Sequence, residues 1–156
     1  MTQENLTRSI SIDDWYALAK DGAAPSVTIP LDGNSMLPLI RKGIDPVTII
    51  PLQRPLKRGD VVLFTTAEGM YIVHRVWKIR GNCVQTLGDR CVHPDPWIPQ
   101  DQVLGLASGF SRNNIKHRLD RVPARLWGRI WMAIFPLRKC YLNGRSLIGR
   151  WYRRRF

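Results

Sequence analysis

Residues 57–87 read KRGDVVLFTTAEGMYIVHRVWKIRGNCVQTL, and their punctuation decides the fold class. Lys57-Arg58-Gly59-Asp60 is a turn that feeds the apolar run Val61-Val62-Leu63-Phe64. Glu68-Gly69 is a hairpin turn, returning the chain from Met70 to Ile79. Gly81-Asn82 turns it again into Cys83 to Leu87. β-branched and aromatic runs bounded by such turns predict strands. Outward from this stretch the pattern repeats. Ser26 to Leu31 alternates apolar and polar residues, Pro46 to Pro51 carries Val47-Thr48-Ile49-Ile50, and Gln102 to Ala107 is a candidate last strand. Short strands at roughly ten-residue spacing predict a mainly β domain over 25–110. Before it, Ser11 with Asp14 three residues on forms a capping box, opening a short helix expected to end near Gly22, within an N-terminal segment 1–24.

Charge divides the 156-residue chain differently. The formal net charge is +12, yet residues 1–110 hold 11 Lys/Arg and 11 Asp/Glu. Residues 111–156 hold 13 Lys/Arg against one acid, Asp120. The excess belongs to a tail, so the chemistry is judged on a neutral body. Cys83, Cys91 and Cys140 form no disulfide framework, and reduced thiols fit a cytosolic protein. Met1 to Lys20 lacks the pattern of a secretory signal, and no apolar run of about 18 residues is present for a spanning helix.

Three short blocks can carry chemistry. Gly33-Asn34-Ser35-Met36-Leu37-Pro38 follows a strand and a turn, which can present a serine hydroxyl at a sheet end. A serine needs a positioned base to become a nucleophile, and a lone serine after a turn is most often a helix cap. In Val73-His74-Arg75-Val76, alternation puts His74 on a face with Ile72 and Val76. One histidine among apolar neighbours is more often a core residue than a catalyst, although a half-buried imidazole with a held tautomer is a good base near neutral pH. Thr86-Leu87-Gly88-Asp89-Arg90, then Pro94-Asp95-Pro96, supplies two carboxylates six residues apart across a turn, within possible reach of a histidine on a neighbouring strand. Asp89 alone reads as structural, because Gly59-Asp60 shows the same pair without evident chemistry. Cys83, Cys91 and His93 match no zinc spacing, so no metal or other cofactor is expected.

Together these blocks resemble type I signal peptidases and their relatives among the self-cleaving SOS-type repressors. The resemblance spans about Val27 to Phe110 and rests on the order of Ser-Met-x-Pro at 35–38, Gly-Asp at 59–60, His-Arg at 74–75, and the aspartates at 89 and 95. In the bacterial enzymes and the repressors a lysine precedes the arginine. His74 at that position is similar to the archaeal and endoplasmic-reticulum branch, which pairs serine with histidine and a supporting aspartate. The resemblance implies a signal-peptidase-like β-fold with Ser35 as nucleophile, His74 as base, and Asp95, or else Asp89, orienting the imidazole. It implies an oxyanion donor in the Ser35 N–H, with the Asn34 amide as a second, because Gly33 stands where the family often has a hydroxyl. Substrate is expected extended beside Val27, Ile29 and Leu31, with Met36 and Pro38 near its side-chain pockets. The membrane anchors usual in the family are not expected here.

The tail suggests what replaces them. Arg118 to Phe135 has helical periodicity, with Leu119, Val122, Leu126, Ile130 and Ile134 on one face, Trp127, Trp131 and Phe135 beside them, and arginines opposite. Ser146 to Phe156 repeats the composition. The expectation is a basic amphipathic tail over 111–156, lying on an anionic membrane through 118–156 and separable from the chemistry. The alternatives are a helix packed on the body, and a nucleic-acid arm, disfavoured by so many exposed aromatics. The function expected is a serine endopeptidase that removes a leader or signal-like segment from a peptide or protein precursor, at the cytoplasmic face of a membrane. A catalytically inactive peptide-binding module of the same fold, or a self-cleaving regulator, are the alternatives. A self-cleaving regulator with a separate DNA-binding domain before Ser35 is not expected from the residues that precede it.

Overall fold

A computed structural model describes residues 11–20 and 25–142. Ser146 to Phe156 lies outside the described residues. The protein is mainly β, an antiparallel eight-stranded sheet followed by a C-terminal helical region. Helix α1 (Ile12–Lys20) precedes β1 (Val27–Ile29), β2 (Val47–Ile50), β3 (Val61–Thr65), β4 (Tyr71–Arg80), β5 (Cys83–Leu87), β6 (Trp97–Pro99), β7 (Val103–Arg112), β8 (Ile115–Arg118) and α2 (Val122–Ala133). The strand order is β1-β2-β7-β3-β4-β5-β6, and β8 pairs with β7.

The capping box forms at Ser11: its Oγ accepts from the Asp14 N–H at 3.1 Å and donates to the Asp14 carboxylate at 2.8 Å. α1 then buries Trp15 against one face of the sheet with Met36, Ile40, Val47, Ile49 and Leu63. The other face gathers Val62, Phe64, Val76, Val84, Ile98 and Leu106. This two-sided burial explains the unbroken apolar run of β3, whose alternate residues enter different cores. Three features escaped the sequence reading. β6 is three residues long and opens on Trp97, after a loop rich in proline and acid. β7 runs to Arg112, well beyond Ala107. β8 occupies ground where helical periodicity was expected to begin at Arg118, so the helix starts at Val122 instead. Pairing with β7 overrides local periodicity there: Gly109 lies against His117 so closely that a Cβ would meet the His117 carbonyl oxygen at 2.4 Å.

The tail packs on the body through a narrow strip. Gly128 lies over Arg75, where a Cβ would come within 2.6 Å of Nη1, and Met132 is buried beside Gly59. Helical residues continue over 135–142, and the Phe135 ring sits 5.0 Å from that of Trp77. The expected apolar face divides. Leu119 packs against the core, whereas Val122, Leu126, Ile130 and Ile134 are exposed. Separability of the tail is therefore corrected: a cut after Phe110 or Ser111 removes the end of β7, all of β8, and the helix that covers Arg75. No helix among the described residues is long and apolar enough to cross a membrane.

The segment after Ser35 is clamped by Asp45, which is fully buried. Arg41 binds it through both its backbone N–H and its guanidinium, and Arg112 reaches it from β7 at 2.6 Å while also donating to the Leu39 carbonyl. Arg41 above all, with Arg112 adding and burial opposing, holds the Asp45 carboxyl well below the usual carboxylate range. A lowered folded value stabilises the native state fully above the unfolded carboxyl's pKa of about 3.9, and this contribution is lost as pH falls through the folded value. Asp45→Asn should cost about 2 kcal/mol at pH 7. In urea denaturation across an acid series, the deficit should shrink progressively below about pH 4.

Candidate active site

Ser35 opens a tight turn between β1 and β2. Its form is set by the Leu37 N–H donating to the Asn34 carbonyl at 3.2 Å and the Ile40 N–H to the Met36 carbonyl at 3.0 Å. Met36 and Ile40 are fully buried and anchor the turn in the core, leaving Ser35 half-buried at its edge. The Arg90 N–H donates to the Ser35 carbonyl at 2.7 Å, tying this turn to the loop after β5.

His74 lies on β4 opposite Val62 of β3 and is buried beside the Phe64 ring. Its Nδ1 is 2.7 Å from Asp95 Oδ2. Thr86, on β5, donates its hydroxyl to the same oxygen at 2.5 Å. Asp95 is held further by its N–H on the Thr86 carbonyl and by the Gln85 amide donating to its own carbonyl. A carboxylate only accepts, so neutral His74 carries its proton on Nδ1 and leaves Nε2 as an acceptor. Nε2 and Ser35 both border the space beside Gly88. A Cβ on Gly88 would stand 2.9 Å from His74 Nε2, 3.0 Å from Ser35 Cβ and 2.7 Å from Cys91 Sγ. Ser35 Cβ and His74 Nε2 are thus within about 6 Å of each other, on two sides of Gly88.

Ser35, His74 and Asp95 are brought together; Asp89 is not. Its carboxylate takes both Arg75 Nε and Nη2 at 2.8 Å, deep in the body, and Arg75 Nη1 donates to the Gly59 carbonyl. The expectation that Asp89 might orient the imidazole is corrected, because both its oxygens are committed to a guanidinium. Met36 is also corrected. With no exposed surface it packs in the core and positions the Ser35 turn instead of lining a pocket. Asn34 and Pro38 are exposed at the mouth of the turn. Val27, Ile29 and Leu31 are half-buried, and β1 is an edge strand of the sheet, pairing with β2 on one side. Cys83 lies on β5, Cys91 and His93 in the loop after it; among the described residues no group of three or more His, Cys, Asp or Glu converges as a metal site.

Thr86, Gly88 and Cys91 are the site neighbours the sequence reading passed over. Thr86 is a fully buried hydroxyl on a strand otherwise packed by Val84 and Leu87; the sequence shows only its place in that apolar run. Burial first, then the Asp95 charge, pushes the Cys91 thiol up, so it is a poor nucleophile at neutral pH. The space around Gly88 makes its own prediction. Gly88→Ala should fold with a loss of about 1–3 kcal/mol and fall at least tenfold in reaction with a serine-directed phosphonate, since the methyl fills the gap between Ser35 and His74. Melting temperature and probe incorporation would be read on the same sample. Comparison with family models, with curated proteins and with solved structures returns no match, so the argument for function rests on the residues themselves.

Proposed function

We propose that the protein is a serine endopeptidase of the signal-peptidase type, removing a leader or signal-like segment from a peptide or protein precursor. The observation that carries this reading is the Asp95–His74 contact, with His74 Nε2 and Ser35 bordering the same space beside Gly88. In this mechanism the Ser35 hydroxyl attacks the scissile carbonyl while His74 Nε2 takes its proton. The imidazolium returns that proton to the leaving amine, and a water then hydrolyses the acyl-enzyme with His74 again as base. Asp95 and Thr86 keep the ring oriented, and the aspartate stabilises its charged form. The Ser35 N–H faces the oxyanion. The substrate adds as a strand along the edge of β1, six residues before the nucleophile.

The protein works at the cytoplasmic surface of a membrane, held there peripherally. Supporting this are the exposed Val122, Leu126, Ile130, Ile134 and Leu137 on the basic tail, more aliphatic surface than one helix usually leaves in water. The free cysteines support a reducing compartment.

Ser35→Ala and His74→Ala should each lower kcat/KM for a cleavable peptide by about 10³-fold or more, and the double variant should lose little beyond either, because the pair acts as a unit. Asp95→Asn should follow them in activity while melting near the wild type. Asp89→Asn should instead lose about 3–5 kcal/mol of stability, the cost of leaving Arg75 buried without its carboxylate. Full activity in His74→Ala would remove the proposed base.

A further inference from the structure

Two basic grooves meet outside the catalytic pair, and Arg58 lines both. The first runs between the 57–60 turn and α2, with Lys57, Arg58 and Arg129 around Leu126 and Ile130. The second lies on the outer end of β4, with Arg58, Lys78 and Arg80 around Trp77, Ile79 and Trp97. They adjoin at Trp77: the Arg58 guanidinium stands 5.0 Å above its ring and Phe135 of the tail packs 5.0 Å from it.

Charge and exposure give this surface its character. Lys57, Arg58, Lys78, Arg80 and Arg129 enter no ion pair among the described residues. The single acid lining either groove, Asp60, is taken up by both guanidinium nitrogens of Arg54 and by the Lys57 N–H. Between the cations lie apolar side chains left in water: Ile79 is 39% exposed, Trp97 43%, Leu126 56% and Ile130 46%. A chain that needed only solubility has no use for uncompensated cations interleaved with large apolar groups on one face. An anionic bilayer satisfies both at once, with phosphates on the cations, aliphatic side chains among the acyl chains, and tryptophan at the boundary. Nucleic acid would satisfy the cations and stack on the tryptophans, but isoleucine and leucine gain nothing from a base.

Resting on the proposal that the protein rides on a membrane, we infer that the anionic lipid surface is bound by the body and the tail together, through one rigid face that includes Lys78, Arg80 and Trp97. The tail is then one wall of the docking surface and not a free tether. The consequence for the site is geometric. His74 precedes Trp77 by three residues on β4, about 10 Å along the strand, so docking holds the catalytic pair at a set short distance from the lipid headgroups, where a membrane-bound precursor presents its cleavage segment.

The test uses the full chain and vesicles of phosphatidylglycerol and phosphatidylcholine (1:3), with pure phosphatidylcholine vesicles and a 30-nucleotide single-stranded RNA as comparators. Lys78→Glu with Arg80→Glu, and separately Trp97→Ala, leave the tail intact and touch no catalytic group. Each should weaken co-sedimentation with the anionic vesicles at least tenfold, as should Leu126→Ser with Ile130→Ser in the tail, while cleavage of a soluble peptide stays unchanged in all three. Wild-type binding by the body variants, with binding lost only in the tail variant, would overturn the joint face and leave the tail as the sole anchor. A wild-type chain that ignores anionic vesicles, whether or not it retains the RNA, would overturn both the face and the membrane reading beneath it.

Discussion

Arg75 and Asp89 form a buried two-pronged ion pair, and four parts of the protein are built around it. Arg75 belongs to β4, next to His74; Asp89 belongs to the loop that runs from Gly88 to Asp95. The remaining guanidinium nitrogen binds the Gly59 carbonyl, which sets the 57–60 turn, and Gly128 of α2 closes over the top. Such a pair adds little net stability compared with apolar residues of the same volume, yet losing either partner is costly because the survivor is stranded without water. Its effect is to fix the position of the loop that carries Asp95. The loop cannot shift without uncovering a charge, so Asp95 meets His74 in one place.

The same pair explains why the basic tail is part of the body. A guanidinium at the surface would be solvated by water, but this one is covered by a helix that approaches more closely than any side chain but glycine permits. Only a narrow strip of α2 is used for this contact, Gly128 and Met132 chiefly. The wider aliphatic stripe, which as a pattern looked like the packing face, is left outward. Helical periodicity identifies an apolar face without saying what covers it, and here a glycine decided which side docks.

The sheet shows a similar division. Turn residues and β-branched runs placed β3, β4 and β5 to within a residue or so, because those signals are local. β6 and β8 were not legible. The first is three residues of a loop drawn into the sheet by pairing with β5, and the second is a polar strand whose order comes from β7. β6 buries only Ile98, too short a run to show alternation in the sequence, and β8 is exposed along its whole length.

By itself the sequence determined the strands with local signals, the neutral body and basic tail, and the candidates Ser35, His74 and Asp95, because residue type and chain order are enough to state which groups are chemically competent. Tertiary structure alone decided which aspartate meets the imidazole. Asp89 and Asp95 are equivalent as types, six residues apart, and the choice follows from strand pairing: β4 against β5 sets Arg75 to claim Asp89, while Thr86 and the returning loop deliver Asp95 to Nδ1. It also decided that Met36 is core and that Gly88 lies between Ser35 and His74, since burial and shared space are properties of segments brought together from distant parts of the chain.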